Sequence, residues 1–141
     1  NYYDGATDTT DSSWFGEITG DYKIALHIEP GTDGNARDMA IGSVSGLLQQ
    51  IDTGIVDAAT GGSGDQVNSI HKSTINNRWI AVGNNGSIKT LDGLAFKTGT
   101  WFPVTNPFTN HITDVHYDAT DDMFIAVAQD GVICRSVDGI S

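Results

Sequence analysis

The sequence predicts an all-β protein built from about three four-stranded, propeller-type blades. Three observations lead there. The chain repeats itself with a period near 45 residues, its short β-rich runs are divided by turns carrying Gly and Asn, and no stretch shows the 3.6-residue apolar spacing of a helix. With 141 residues, one domain is expected, and a compact chain of that size can bury a core.

The repeat is clearest between Val67–Gly93 and Ile112–Gly139. His71 falls on His116, Ile80 on Ile125, Ala81 on Ala126, Val82 on Val127 and Gly86 on Gly131, all at one offset. One extra residue then enters before Asp138, which answers Asp92. A worn copy lies upstream: Leu26-His27 matches Ile70-His71, Met39-Ala40-Ile41-Gly42 is set on Ile80-Ala81-Val82-Gly83, and Gly46 on Gly86. Asp4-Gly5 followed by Trp14-Phe15 resembles Asp92-Gly93 followed by Trp101-Phe102. The units are therefore expected near 6–53, 54–99 and 100–141, with residues 1–5 as the last strand of a preceding unit. The opening Asn1-Tyr2-Tyr3, without an initiator Met, suits a processed or excised piece.

Within the first unit, strands are expected near 14–18, 23–28, 38–43 and 46–51. The second takes 54–58, 67–72, 78–83 and 86–91. The third takes 100–104, 112–117, 123–128 and 131–137. Met123–Val127 is a continuous apolar run, the pattern of a strand buried on both faces. Asn84-Asn85-Gly86 and Gln129-Asp130-Gly131 read as hairpin turns, because Gly and Asn tolerate the positive φ such turns demand. Four strands per repeat of this length is the content of one propeller blade.

The string from Trp79 to Ile88, followed by Thr90-Leu91-Asp92-Gly93-Leu94-Ala95-Phe96, resembles the sialidase-like β-propeller repeats. That group reads aromatic, apolar, A-V-G, turn, G-x-I, then S-x-D-G-x-x-W. It includes neuraminidase repeats, photosystem assembly factors and many phage virion proteins. Here Phe96 stands where the group carries Trp, and the first unit lacks the S-x-D-G box around Gln50-Ile51-Asp52. The opening Tyr2-Tyr3-Asp4-Gly5-Ala6-Thr7-Asp8-Thr9 resembles a Y-F-D-G-x-T-x-D string of phage tail proteins.

Three blades do not close a propeller ring, which takes about four to eight. Two copies completing one ring, a larger parent protein, and a threefold β-prism or β-trefoil are the alternatives left open. An open stack exposes an apolar face at each end.

Charge narrows the function. Asp and Glu total 18 against 7 Lys and Arg, for a net charge of -11. Such a surface repels nucleic acid and anionic membranes, and its apolar runs are too short to span a bilayer. The single Cys134 forms no internal disulfide and lies in an apolar strand, as a buried filler does.

Candidate chemistry has structural readings beside each functional one. Thr90 with Asp92, and Ser136 with Asp138, form S/T-x-D-G boxes. They suit turn fixation more than carbohydrate or metal contact. His27, His71 and His116 recur once per unit. Three imidazoles can bind zinc, but their strand is expected away from a propeller axis, with the rings far apart and packing between blades. Asp118, Asp121 and Asp122 crowd one loop, Asp8 and Asp11 a second, Asp33 and Asp38 a third. Oxygen-rich loops can hold calcium, but no EF-hand order is present, and Asn76-Asn77 in the equivalent loop of the second unit point to turn chemistry instead. Arg37, Arg78 and Arg135 are the only arginines, and Arg37 and Arg78, at similar points before a strand, look repeated rather than clustered. With only Glu17 and Glu29 as glutamates, the residues do not assemble a sialidase centre. No G-x-S-x-G, P-loop or H-E-x-x-H string occurs. Trp14, Trp79 and Trp101 suit core packing over sugar stacking.

The reading assigns no catalytic, cofactor or metal residue. His27, His71, His116, Gly86, Gly131, Asp92, Asp138, Thr90 and Ser136 are structural repeat positions. The expected function is that of a non-enzymatic structural or adhesion protein, a phage virion component of tail or capsid surface, located in the virion or outside the cell. Its partners would be copies of itself, other virion proteins or a cell-surface glycan, with receptor contacts on loops 57–66 and 105–111. A secreted glycan-binding module and an assembly factor of the photosystem type are the alternatives.

Overall fold

The computed structural model describes residues 23–30, 37–46, 48–52, 55–56, 65–93 and 100–141. The strands expected at 14–18 and at Tyr2-Tyr3 lie outside them. Three antiparallel sheets form, none closed into a barrel, and no α-helix occurs among the described residues. Sheet 1 runs β1 (Lys23–Pro30), β2 (Arg37–Ser43), β3 (Leu48–Asp52) and β4 (Ile55–Val56). Sheet 2 runs β5 (Val67–Lys72), β6 (Arg78–Gly83), β7 (Ile88–Asp92) and β8 (Phe102–Pro103). Sheet 3 holds β9 (Ile112–Asp118), β10 (Met123–Ala128) and β11 (Ile133–Ser136).

Each sheet is a meander, and its tight turns are set by glycine. Gly46, Gly86 and Gly131 all have positive φ, at 82°, 71° and 80°, each two residues before the strand that follows. Asn85 joins Gly86 on the left-handed side, which Asn tolerates.

The strand expected near 54–58 was grouped with the second unit, yet Ile55–Val56 pairs with β3 of sheet 1. The strand near 100–104 was grouped with the third, yet Phe102–Pro103 pairs with β7 of sheet 2. The repeat is right in period and one strand out of phase with the sheets. Periodicity alone cannot choose the phase, because hydrogen bonding, not sequence order, decides which sheet a strand closes.

The sheets stack face to face, with β1, β5 and β9 neighbouring one another across them. Sheet 2 lies in the middle. On β6, Trp79 and Ala81 turn towards sheet 1 and pack with Ala25, Ala40, Leu48 and Trp101. Ile80 and Val82 turn the other way, onto Val115, Tyr117, Phe124 and Ala126 of sheet 3. That is why Arg78–Gly83 reads as an apolar run: both faces are covered. Trp79 has no exposed surface, and trimming such a side chain to Ala costs about 3–5 kcal/mol.

Two expectations are corrected by register. Met123–Val127 was expected to be buried on both faces, but only alternate residues are. Phe124 and Ala126 meet sheet 2, while Ile125 and Val127 look outward, half-buried. Nothing among the described residues stacks on that side. The second correction concerns the worn copy. His27 pairs with Ala40, His71 with Ile80 and His116 with Ile125. Ala40, not Met39, is therefore the counterpart of Ile80, and a one-residue slip exchanges the two faces of the strand. The turn glycines carried the signal, since Gly42 stands four residues before Gly46 but Gly83 only three before Gly86.

Candidate functional site

The repeated histidines meet. The His27 and His71 ring centroids are 4.4 Å apart, and those of His71 and His116 are 4.7 Å apart. The expectation of distant rings is overturned, because the strand that carries the histidine is the first strand of each sheet, and those first strands are neighbours. His27 also meets Trp79 edge-on at 5.4 Å, and the Lys72 ammonium lies 5.4 Å from the same indole.

The row is tied by hydrogen bonds as well as ring contact. The Tyr117 backbone N–H donates to His71 Nδ1 at 3.1 Å. Asn68 Nδ2 donates to the Ile112 carbonyl at 2.7 Å, and Ser69 Oγ to Asp114 Oδ1 at 2.5 Å. Thus β5 side chains satisfy main-chain groups on the edge strand β9 of the next sheet. Such groups otherwise template foreign strands. A β-bulge between Val67 and Ser69 frees Asn68 from the ladder and aims it across the gap. Asn68 and Ser69 escaped the sequence reading, because the third unit has Thr113 and Asp114 at these positions.

The boxes differ between units. Ser136 pairs with Phe124, whereas Thr90 pairs with Ile80, so the two hydroxyls are on opposite faces and are not equivalent. Thr90 Oγ1 donates to the Trp79 carbonyl at 3.2 Å and accepts from Arg78 Nη1 at 3.3 Å. Asp92 is exposed. Asp138 gathers the final turn: its Oδ1 accepts from the N–H groups of Ile140 and Ser141 at 2.8 and 2.9 Å, and it meets Ser136 Oγ at 2.9 Å. The Ile140 and Ser141 N–H groups, with Ser136 and Ser141 hydroxyls, hold its carboxyl well below the usual carboxylate range. Gly139 in that turn has a φ of 67°.

The acidic loop spends its carboxylates on turn chemistry. Asp122 Oδ1 accepts from Tyr117 Oη at 2.6 Å, and Asp118 Oδ1 from the Thr120 N–H at 2.8 Å. Burial, then the Asp122 contact, pushes the Tyr117 phenol upward. Among the described residues no group of three His, Cys, Asp or Glu is placed to hold a metal. Asp8, Asp11, Asp33, Glu17 and Trp14 lie outside those residues, and Arg37, Asp38 and Glu29 are placed by their backbone alone. Arg78 and Arg135 occupy different strands of different sheets.

Loop 105–111 is anchored rather than free. Phe108 is buried in the cluster between sheets 2 and 3, and Asn106 Nδ2 donates to the Gly86 carbonyl at 2.9 Å. Of loop 57–66 only Asp65 and Gln66 are described; Asp65 Oδ1 accepts from Asn85 Nδ2 at 2.7 Å. Trp79 and Trp101 are core residues. Cys134 packs half-buried at the edge of the second cluster and lines a cleft of about 280 Å³ between sheets 2 and 3.

No protein-family model matches the chain, and no curated protein matches it in sequence. Among solved structures, it is similar to the crystal structure of the computationally designed Ika4 protein, at 14% identity and a TM-score of 0.41, over 85% of this chain and 93% of that one. A likeness at that level says nothing about activity.

Proposed function

We propose that the chain is a non-enzymatic structural protein that acts by assembly. Its sheets are read as sialidase-like propeller blades, and its role as that of a phage virion component, in the tail or on the capsid surface. Its partners are further copies or other virion proteins. The observation that carries the assembly reading is the outward face of sheet 3. Ile125, Val127 and Ile133 hold there the positions that Ile80, Val82 and Ile88 hold on sheet 2. On sheet 2 those positions are covered by the next sheet, but on sheet 3 Ile133 is 69% exposed. Among the described residues nothing covers that apolar face, and such a face favours burial against a partner. The virion part of the reading is supported by the resemblance of the repeat strings and of Tyr2–Thr9 to phage proteins.

Solution mass and fractionation with purified virions test it. A multiple of the chain mass, with the protein in the virion fraction, is expected. A monomer at micromolar concentration that is absent from virions overturns it. A glycan module would present aromatic rings on its surface; among the described residues Phe102 is the one large exposed aromatic, since Trp79, Trp101 and Phe108 are buried.

A further inference from the structure

Three β5 side chains meet the main chain of β9 along one seam. Asn68 Nδ2 donates to the Ile112 carbonyl at 2.7 Å and Ser69 Oγ to the Val115 carbonyl at 3.5 Å, whereas His71 Nδ1 accepts the Tyr117 N–H at 3.1 Å. The two donors keep their protons across the whole range near neutrality. The acceptor is different, because a ring nitrogen accepts only while it is bare. The bond therefore fixes a neutral His71 ring with its proton on Nε2.

The groups packed around His71 decide what a second proton meets. The His27 ring of β1 is 4.4 Å away and the His116 ring of β9 is 4.7 Å away. Lys72, next along β5, sets its ammonium over Trp79, which also meets His27. On β6, Arg78 reaches Thr90. Asp114 bonds to Ser69 and to the Val115 N–H, Asp118 to the Thr120 N–H and Asp122 to Tyr117 Oη. Asp114 and Asp118 stand two residues either side of His116 on one face of β9. Positive charge on His116 thus has carboxylates beside it, and it opposes a further charge on His71. On sheet 1, Lys23, Glu29, Arg37 and Asp38 are placed by their backbone alone. Near the start of β9, His111 Nδ1 accepts the Asn85 N–H at 3.1 Å, with Asp65 and Asp130 bound to the Asn85 and Asn110 side chains.

We propose that His71 is a pH-sensitive latch between sheets 2 and 3, whose protonation between about pH 7 and 5 releases the Tyr117 end of β9. A proton on Nδ1 sets two N–H groups against each other and places charge beside two further imidazoles. Tyr117 is what the latch frees: its side chain is 5% exposed and packs on Phe124 at 5.1 Å, within the cluster that joins the two sheets. The Asn68 and Ser69 bonds do not titrate and keep β9 in register while its far end loosens. A folded ring that resists the proton gives stabilisation that is complete above the ordinary imidazole value of about 6.5, fades as pH falls through it, and is gone once the folded ring is charged. The latch works within one chain, whatever that chain assembles with.

Urea midpoints of wild type and His71→Phe, each at about pH 7.5 and about pH 5.5, test it. Phe keeps a ring in the row and takes no proton. His111, Asp138 and the net charge of -11 act on both chains, so the gap between the two midpoints isolates His71. Wild type should lead at the higher pH and lose about half of that lead or more at the lower one. A lead that is absent at the higher pH, or that fails to shrink, overturns the latch. Wild type alone gives a second reading that does not depend on His71→Phe folding. Followed by NMR from about pH 8 to 5, the Tyr117 amide should shift and lose protection from hydrogen exchange as the His71 ring becomes charged, at a pH below the ordinary imidazole value. A Tyr117 amide that stays unmoved and protected throughout, or a His71 ring that charges above that value, overturns it.

Discussion

His71 of the second sheet accepts, through Nδ1, the backbone N–H of Tyr117 on the third at 3.1 Å, while its ring lies between those of His27 and His116. One side chain therefore stacks within the row and caps a strand edge. Replacing it with Phe keeps an aromatic ring and removes the acceptor, leaving a half-buried N–H unpaired at a cost of about 1–3 kcal/mol. His71→Phe and His71→Ala should both unfold at lower denaturant in urea titrations, Ala more so. A wild-type midpoint for His71→Phe would show that the hydrogen bond contributes nothing.

Gly42 tests the corrected register. A Cβ built there would overlap Val67 Cγ1, although its counterparts on the other sheets are Val82 and Val127. Gly42→Val should destabilise by about 1–3 kcal/mol through overpacking, and Val67→Ala in the same chain should recover part of the loss. Gly131→Ala is the control: its Cβ meets nothing, so only the φ of 80° opposes it, at about 1 kcal/mol. Equal costs at the two sites, read by thermal melting, would contradict the stacking of Gly42 on Val67.

Acid should loosen the C-terminal turn. The folded state holds the Asp138 carboxyl below its ordinary value of 3.8, so the unfolded chain takes up the proton first as pH falls. The stabilisation is complete at neutral pH, begins to fade near the ordinary value and is gone below the folded one. Asp130, held low chiefly by the Asn110 side chain, acts in the same direction. Melting temperatures between pH 7 and 2 should show Asp138→Asn below wild type at neutral pH, with the gap closing towards pH 2. A constant gap across that range would remove the carboxylate from the argument.

The two faces of the repeat should respond oppositely to charge. Val82 is 1% exposed between sheets 2 and 3, and Val82→Asp should unfold the chain at a cost of about 4 kcal/mol or more. Ile133→Lys, on the outward face, should leave the stability of the single chain within about 0.5 kcal/mol and abolish the larger species in light scattering. Persistence of that species with Ile133→Lys would place the contact elsewhere.

Much of the architecture was legible. The 67–72, 78–83 and 123–128 strands coincide with β5, β6 and β10, because alternating or continuous apolar runs between turn glycines leave little choice of element. The burial of Trp79 and Trp101 followed from their recurrence in strands. The candidate site was less legible. The histidine positions were visible as a repeat, but their contact depends on which strand lies next to the neighbouring sheet. Asn68 and Ser69 act through main-chain atoms more than forty residues away, which no local pattern encodes.

Composition, spacing and turn chemistry established an acidic all-β chain of repeated meanders, since each of these is a local property of consecutive residues. Stacking and register settled the rest: that Ile55–Val56 and Phe102–Pro103 close the sheets before them, that Ala40 and not Met39 answers Ile80, and that three imidazoles adjoin. A strand repeats every two residues, so a shift of one is nearly silent in sequence yet reverses every side chain. Only the packing of one sheet on another penalises the wrong choice.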